Sequence, residues 1–122
     1  MREEKPHRRL EARTRGMELV IVVYRLTAQF PSHERYALVD QMRKAAASVP
    51  SNVSEGAARH TKKEFAQFLH MTRGSLSELD TQLEIALRLG YVPSDAVDEL
   101  QARLDRVGRL VTGLIRSLGG RQ

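Results

Sequence analysis

Six cations, Arg43, Lys44, Arg59, Lys62, Lys63 and Arg73, fall within residues 43–73, a stretch that holds only two acids, Glu55 and Glu64. Ammonium and guanidinium groups gathered in this way neutralise the phosphates of a nucleic-acid backbone without reading its sequence. The same pattern also describes a solvated helix face, so the chemistry on offer is attraction rather than bond breaking. Residues 1–16 add six Lys and Arg against three acids, whereas residues 74–105 reverse the balance with seven acids against two Arg. The net charge of +5 is modest, and its uneven distribution is what favours a polyanionic partner. With three Tyr, three Phe, no Trp and no helix-turn-helix signature, base stacking and base-specific readout are not expected.

Other reactive constellations are weaker. Metal sites inside helical bundles use Glu-x-x-His pairs projecting inward. The one such spacing, Glu4 to His7, is interrupted by Pro6, and His33, His60 and His70 have no acid at that spacing. Cysteine is absent, which excludes disulfides and thiolate ligands. No metal or cofactor is therefore expected. Glu55 and Glu78 could approach each other between helices, and paired carboxylates can do acid/base work. No nucleophile accompanies them at a recognisable spacing. The favoured reading is a polar network of Asn52, Glu55, Ser75, Glu78 and Gln82 that fixes helix register, with no catalytic residue and no enzymatic activity.

The elements that must position these groups are helices throughout. Residues 1–9 lack apolar periodicity and read as a flexible basic arm. A first helix follows from Leu10 to Gln29 and ends before Phe30-Pro31, because proline disfavours helical geometry in the residue ahead of it. Ser32 is a good N-cap for a second helix that runs to about Ala58, with Glu34 in its first turn. Its apolar stripe is Leu38, Met42, Ala45, Val49, Val53 and Gly56, bordered by polar Gln41, Ser48, Asn52, Glu55 and Arg59. Pro50 lacks an amide donor and predicts a kink there. Asn52 could donate to the freed carbonyl of Ala46 or point to the next helix.

Thr61 to Glu64 spells a capping box opening a third helix, which ends at Gly90. Its stripe is Leu69, Thr72, Leu76, Leu79, Leu83 and Ala86. The fourth helix follows Pro93-Ser94, and Val97, Leu100, Leu104, Val107, Val111, Leu114 and Leu118 alternate by three and four along it. Four amphipathic helices with short connections predict an all-α, antiparallel up-down-up-down four-helix bundle over residues 10–118, followed by a disordered tail at 119–122. No strand pattern competes.

Several runs carry a resemblance. The pieces MELV (Met17 to Val20), VYRLTAQFP (Val23 to Pro31), PSNVSEG (Pro50 to Gly56), RGSLSELDTQL (Arg73 to Leu83) and LRLGYV (Leu87 to Val92) occur in order, and the resemblance they carry covers residues 10–118. The chain resembles the four-helix-bundle proteins encoded in intervening sequences of bacterial 23S ribosomal RNA genes, a family that includes the accessory variability protein of diversity-generating retroelements. The resemblance implies a ring-like homo-oligomer, since the retroelement member is pentameric. It also implies a possible partner, a reverse transcriptase with structured RNA, whereas the intervening-sequence branch implies no established activity.

The residues themselves give a parallel argument for assembly. The first helix is apolar nearly all round from Leu19 to Tyr24, and Leu110 and Ile115 widen the stripe of the fourth. Surplus apolar surface of this kind is buried between subunits, so Leu19, Val20, Val22, Val23, Leu110 and Ile115 are expected at an oligomer interface. The longest strongly apolar run is far below the roughly 20 residues of a membrane span, and the start has no signal-peptide core. A cytoplasmic location is expected. Two functions remain open: an oligomeric scaffold for nucleic acid or a nucleic-acid enzyme, and a pure protein-interaction scaffold.

Overall fold

Residues 6–119 are described by the computed structural model of the chain. Four helices make up the molecule: α1 (Pro6–Thr27), α2 (Leu38–Ala57), α3 (Lys62–Arg88) and α4 (Ser94–Ser117), with a short 3-10 turn at Ser32–Glu34. No strand occurs among the described residues. α1 packs on α2, α2 on α3, α3 on α4 and α4 on α1, while the backbones of the diagonal pairs α1/α3 and α2/α4 stay apart. The helices therefore occupy the corners of a square, with α1 and α3 at one pair of opposite corners.

The expected stripes face the centre. Leu19 and Val23 of α1, Met42, Val49 and Val53 of α2, Leu69, Leu79 and Leu83 of α3, and Leu100, Val111 and Leu114 of α4 are all buried. Close contacts between α1 and α2 join Arg13 to Ser54, Gly16 to Val49 and Pro50, and Tyr24 to Arg43. Residue numbers thus rise along one helix as they fall along the other. Gly16 matters here, because a Cβ at that position would stand 3.3 Å from Val49 and 3.4 Å from the Pro50 ring. Pro50 lies inside a helix that continues to Ala57, with its ring buried.

Two boundaries differ from the sequence expectation. α1 begins at Pro6, so residues 6–9 of the expected arm are helical. Proline suits the first helical turn, where its missing amide has no partner to lose. Residues 1–5 of that arm and 120–122 of the expected tail lie outside the described residues. α2 begins at Leu38 rather than Ser32, because Ala37, at φ −122° and ψ −103°, interrupts the helical path. Ser32 caps nothing. The Glu34 carboxylate instead accepts from the Leu38 amide at 3.4 Å.

The entry to α3 follows the capping expectation in its first half. The Glu64 amide donates to the Thr61 hydroxyl at 3.1 Å, while that hydroxyl donates to the Glu64 carboxylate at 3.0 Å. α3 ends at Arg88, two residues before Gly90, whose φ of +79° is open to glycine at little cost. The Tyr91 amide then bonds the Ala86 carbonyl and the Gly90 amide the Leu87 carbonyl, a pairing that satisfies the last carbonyls of the helix. Tyr91 is thereby turned back onto the α1–α2 connection. Its ring meets Phe30 at 5.3 Å and its hydroxyl donates to Glu34 at 2.6 Å.

Candidate nucleic-acid interface

The beginning of α1, the α2–α3 connection and the end of α4 meet at one end of the bundle. Arg9, Arg59, His60 and Lys62 line a groove there of about 260 Å³, together with Ala57, Thr61, Phe65 and Leu118. Four basic side chains border it and no acid does. The aromatic rings of α3 hold two of them in place: the Arg9 guanidinium stands 5.3 Å from the Phe65 ring centre, and that of Arg59 4.7 Å from Phe68. Planar guanidinium on an aromatic face keeps its edge for hydrogen bonding to an anion. Glu55, one turn before Arg59, pairs with it at 2.9 Å.

Gly56 makes this packing possible. A Cβ there would stand 2.7 Å from Phe68 Cβ and 2.9 Å from Phe65 Cδ1, so only glycine lets α2 approach α3 at the base of the groove.

The six cations expected to act together are divided by the fold. Arg59 and Lys62 share the groove, and Lys63 is exposed beside them in the first turn of α3. Arg43 is elsewhere and already engaged: it donates to the Thr27 hydroxyl at 2.9 Å and the Tyr24 carbonyl at 3.2 Å, with its guanidinium 4.5 Å from the Tyr24 ring centre. It fastens the end of α1 to α2. Lys44 is exposed and pairs with Asp40 at 3.0 Å. Arg73 lines a different groove, between α3 and α4. His60, which follows Arg59 in the basic run, joins Arg59 and Lys62 in the groove, and the residue that sequence reading misses is Arg9. Arg9 was placed in a loose arm, and the signal that would have recovered it is Pro6 as a helix start.

The expected polar network is not continuous. Gln82 donates to Glu78 at 3.2 Å within α3, and Glu55 holds Arg59 within α2. Only Ser75 crosses between helices, to Ser48 at 2.5 Å. Asn52 is half-buried, and its side chain makes no hydrogen bond to Ala46 or to α3 among the described residues. Gln82 is buried with its carbonyl oxygen unpaired. Side chains on one helix satisfy one another at i, i+4 before they reach across.

The expected oligomer interface is also redrawn. Leu19, Val23 and Ile115 are 0% exposed and belong to the core, while Val20, Val22 and Leu110 pack partly against it. A helix that is apolar nearly all round still presents only one face outward. The exposed large apolar side chains of α1 are Leu10, Met17, Ile21 and Tyr24, and those of α3 are Met71, Ile85 and Leu87, with Leu89 just past its end.

At the opposite end of the bundle, Tyr91 and Glu34 form the pair with shifted titration. The Tyr91 hydroxyl, donating to Glu34, holds that carboxyl below the usual carboxylate value, and the Leu38 amide and nearby His33 act in the same direction against partial desolvation. The same bond raises the Tyr91 phenol. Among the described residues, no group of three or more His, Asp or Glu is placed to hold a metal ion. No helix among the described residues is long and apolar enough to cross a membrane.

These observations define an all-α four-helix bundle with one basic end. The family model of the 23S rRNA-intervening sequence protein matches residues 8–113, and the chain belongs to that family. A solved structure of similar fold is a protein of unknown function from the S23 ribosomal protein family of Bacteroides thetaiotaomicron. It superposes with a TM-score of 0.81 over 89% of this chain and 98% of the other, at 14% sequence identity. No curated protein matches the sequence.

Proposed function

We propose that the protein is a non-enzymatic, homo-oligomeric scaffold that holds the backbone of a nucleic acid at the basic end of its bundle. The observation that carries this reading is the groove of Arg9, Arg59, His60 and Lys62, bordered by four basic side chains and no acid. Such a site attracts phosphates without selecting sequence. A nucleic-acid enzyme such as a reverse transcriptase would be recruited through the shared RNA, as the resemblance to the retroelement branch implies. The test is the affinity for a structured RNA or a DNA duplex, measured by fluorescence anisotropy against salt. Affinity should fall linearly with the logarithm of salt, with little dependence on sequence. Changing Lys62 and Lys63 together to Gln should lower the slope by about one unit per lost phosphate contact. Unchanged affinity and slope would remove the basic end from the reading.

Assembly rests on a second observation. Among the described residues, the exposed large apolar side chains on helices lie on α1 and α3, at opposite corners of the square, and none on α2 or α4. Two different faces that seek cover on opposite sides of one molecule favour a head-to-tail contact, which closes into a ring when the rotation permits. Five copies is the number the family resemblance implies. Light scattering should give a mass several times 13.8 kDa, and Ile21→Glu should reduce it to that of a monomer. A wild-type monomer at micromolar concentration would leave the pure protein-interaction scaffold as the reading for the basic end and the apolar faces alike.

A further inference from the structure

Resting on the reading of the basic end as a phosphate site, we infer that the bound nucleic acid does not stop there but continues over the end of α4 into the groove between α3 and α4. Three successive depressions are joined by shared or adjacent residues. The first is the basic groove, which reaches Arg9 and Leu118. Next to it lies a depression lined by Arg8, Gly113, Arg116 and Ser117. That one shares Gly113 and Arg116 with the α3/α4 groove, about 740 Å³ in volume, which also takes in Arg73 and Arg109.

The cations along this path differ from those of the other long groove. Of the four cations between α1 and α4, three are paired, Arg15 with Glu18, Arg103 with Glu99 and Arg106 with Glu11, and Arg25 alone has no partner among the described residues. Arg8, Arg73, Arg109 and Arg116 make no ion pair or hydrogen bond among the described residues. An unpaired guanidinium keeps its whole fork for an incoming phosphate. From Lys62 to Arg73 is three turns of α3, about 16 Å, and Arg109 and Arg116 are two turns apart on α4, about 10 Å. A path of this length spans about five phosphates of one strand of a duplex, at about 3.4 Å each.

The groove floor agrees with a close visitor. A Cβ built on Gly108 or Gly113 meets nothing within 4 Å, so the fold of the single chain gives neither glycine a packing role. Glycine inside a helix is unfavourable relative to alanine, and open space above it admits a backbone from outside. The path has a defined end. Asp80 and Asp105 line the far part of the same groove, where Asp105 accepts from the Gln101 amide at 3.0 Å. Carboxylates there repel a strand that Arg73 and Arg109 attract.

The experiment compares three proteins by anisotropy with a structured RNA across a salt series: wild type, Arg73→Gln/Arg109→Gln/Arg116→Gln, and Lys62→Gln/Lys63→Gln. The continuous path predicts that the triple variant loses about two to three units of slope, at about 0.7 to 0.9 per contact, separately from the loss in the lysine variant. A further variant, Gly113→Glu, separates binding from folding. It adds a carboxylate over open space and replaces a poor helix former, so it should melt at a higher temperature than wild type and bind RNA more weakly. If the triple variant and Gly113→Glu both keep wild-type slope while the lysine variant loses it, the extended path is wrong and the basic end stands alone. If wild type binds no RNA at low salt, both readings fall. If the triple variant changes the mass in light scattering and not the RNA slope, the groove is a contact between copies and the path is overturned.

Discussion

Arg43 and Arg59 show how a cation that looks available in a sequence can be engaged by the fold. Arg43 caps the carbonyl of Tyr24 and stacks on its ring, whereas Arg59 lies on Phe68 and pairs with Glu55 while still lining the basic groove. Changing Arg43 to Gln should therefore lower thermal stability and leave the salt slope of RNA binding unchanged. At the core, Leu79→Ala removes a side chain that is 0% exposed and should cost about 2 to 5 kcal/mol in denaturant unfolding. Gly56→Ala should also destabilise, by about 1 to 3 kcal/mol, because its methyl would collide with Phe65 and Phe68. The far end of the bundle gives a pH prediction. Glu34 is held below the usual carboxylate value by the Tyr91 hydroxyl, so its contribution is present above that usual value and is lost as pH falls through the folded one. The raised phenol works in reverse: its contribution is present below the usual tyrosine value and is lost as pH rises through the folded one. The stability difference between wild type and Tyr91→Phe should thus be greatest from weakly acid to weakly alkaline pH, and shrink at both extremes. Melts in which the difference is the same in strong acid as at neutrality would contradict the pairing.

At the scale of elements, the helices were legible wherever the sequence carried a physical stop or start. Gly90 ended α3 through a positive φ, and the Thr61 hydroxyl took the Glu64 amide. Thr61→Ala should cost about 1 kcal/mol in thermal or denaturant unfolding, as for loss of an N-cap. The beginning of α2 was not legible, because Ser32 has the right chemistry for a cap, yet the chain makes a 3-10 turn and a break at Ala37 before the helix. A local signal lost there to the geometry of the connection, which must also bring Glu34 under Tyr91. The start of α1 was missed for a different reason. Charged residues with no apolar period hide a helical turn whose Arg9 is positioned by a ring, Phe65, more than fifty positions away. The basic site was half legible for the same cause: Arg59 and Lys62 are neighbours in sequence, whereas Arg9 reaches them only through the fold.

Across the whole molecule, the bundle separates its tasks by position. Its centre is apolar, one end is basic, and the outer faces of α1 and α3 carry apolar side chains at opposite corners. Self-association would place copies of the basic end side by side, and linked weak sites bind far more tightly than one alone. Ile21→Glu should therefore weaken RNA binding by more than the loss of a single site, although Ile21 is outside the basic groove. An anisotropy titration in which the monomeric variant binds as tightly as wild type would uncouple assembly from binding. The account as a whole is tested most directly by light scattering on a column, with the protein run alone and then with a structured RNA in low salt. The expected result is a particle several times 13.8 kDa that takes up the RNA into one heavier peak and releases it in high salt. A monomer that elutes apart from the RNA in low salt would contradict it.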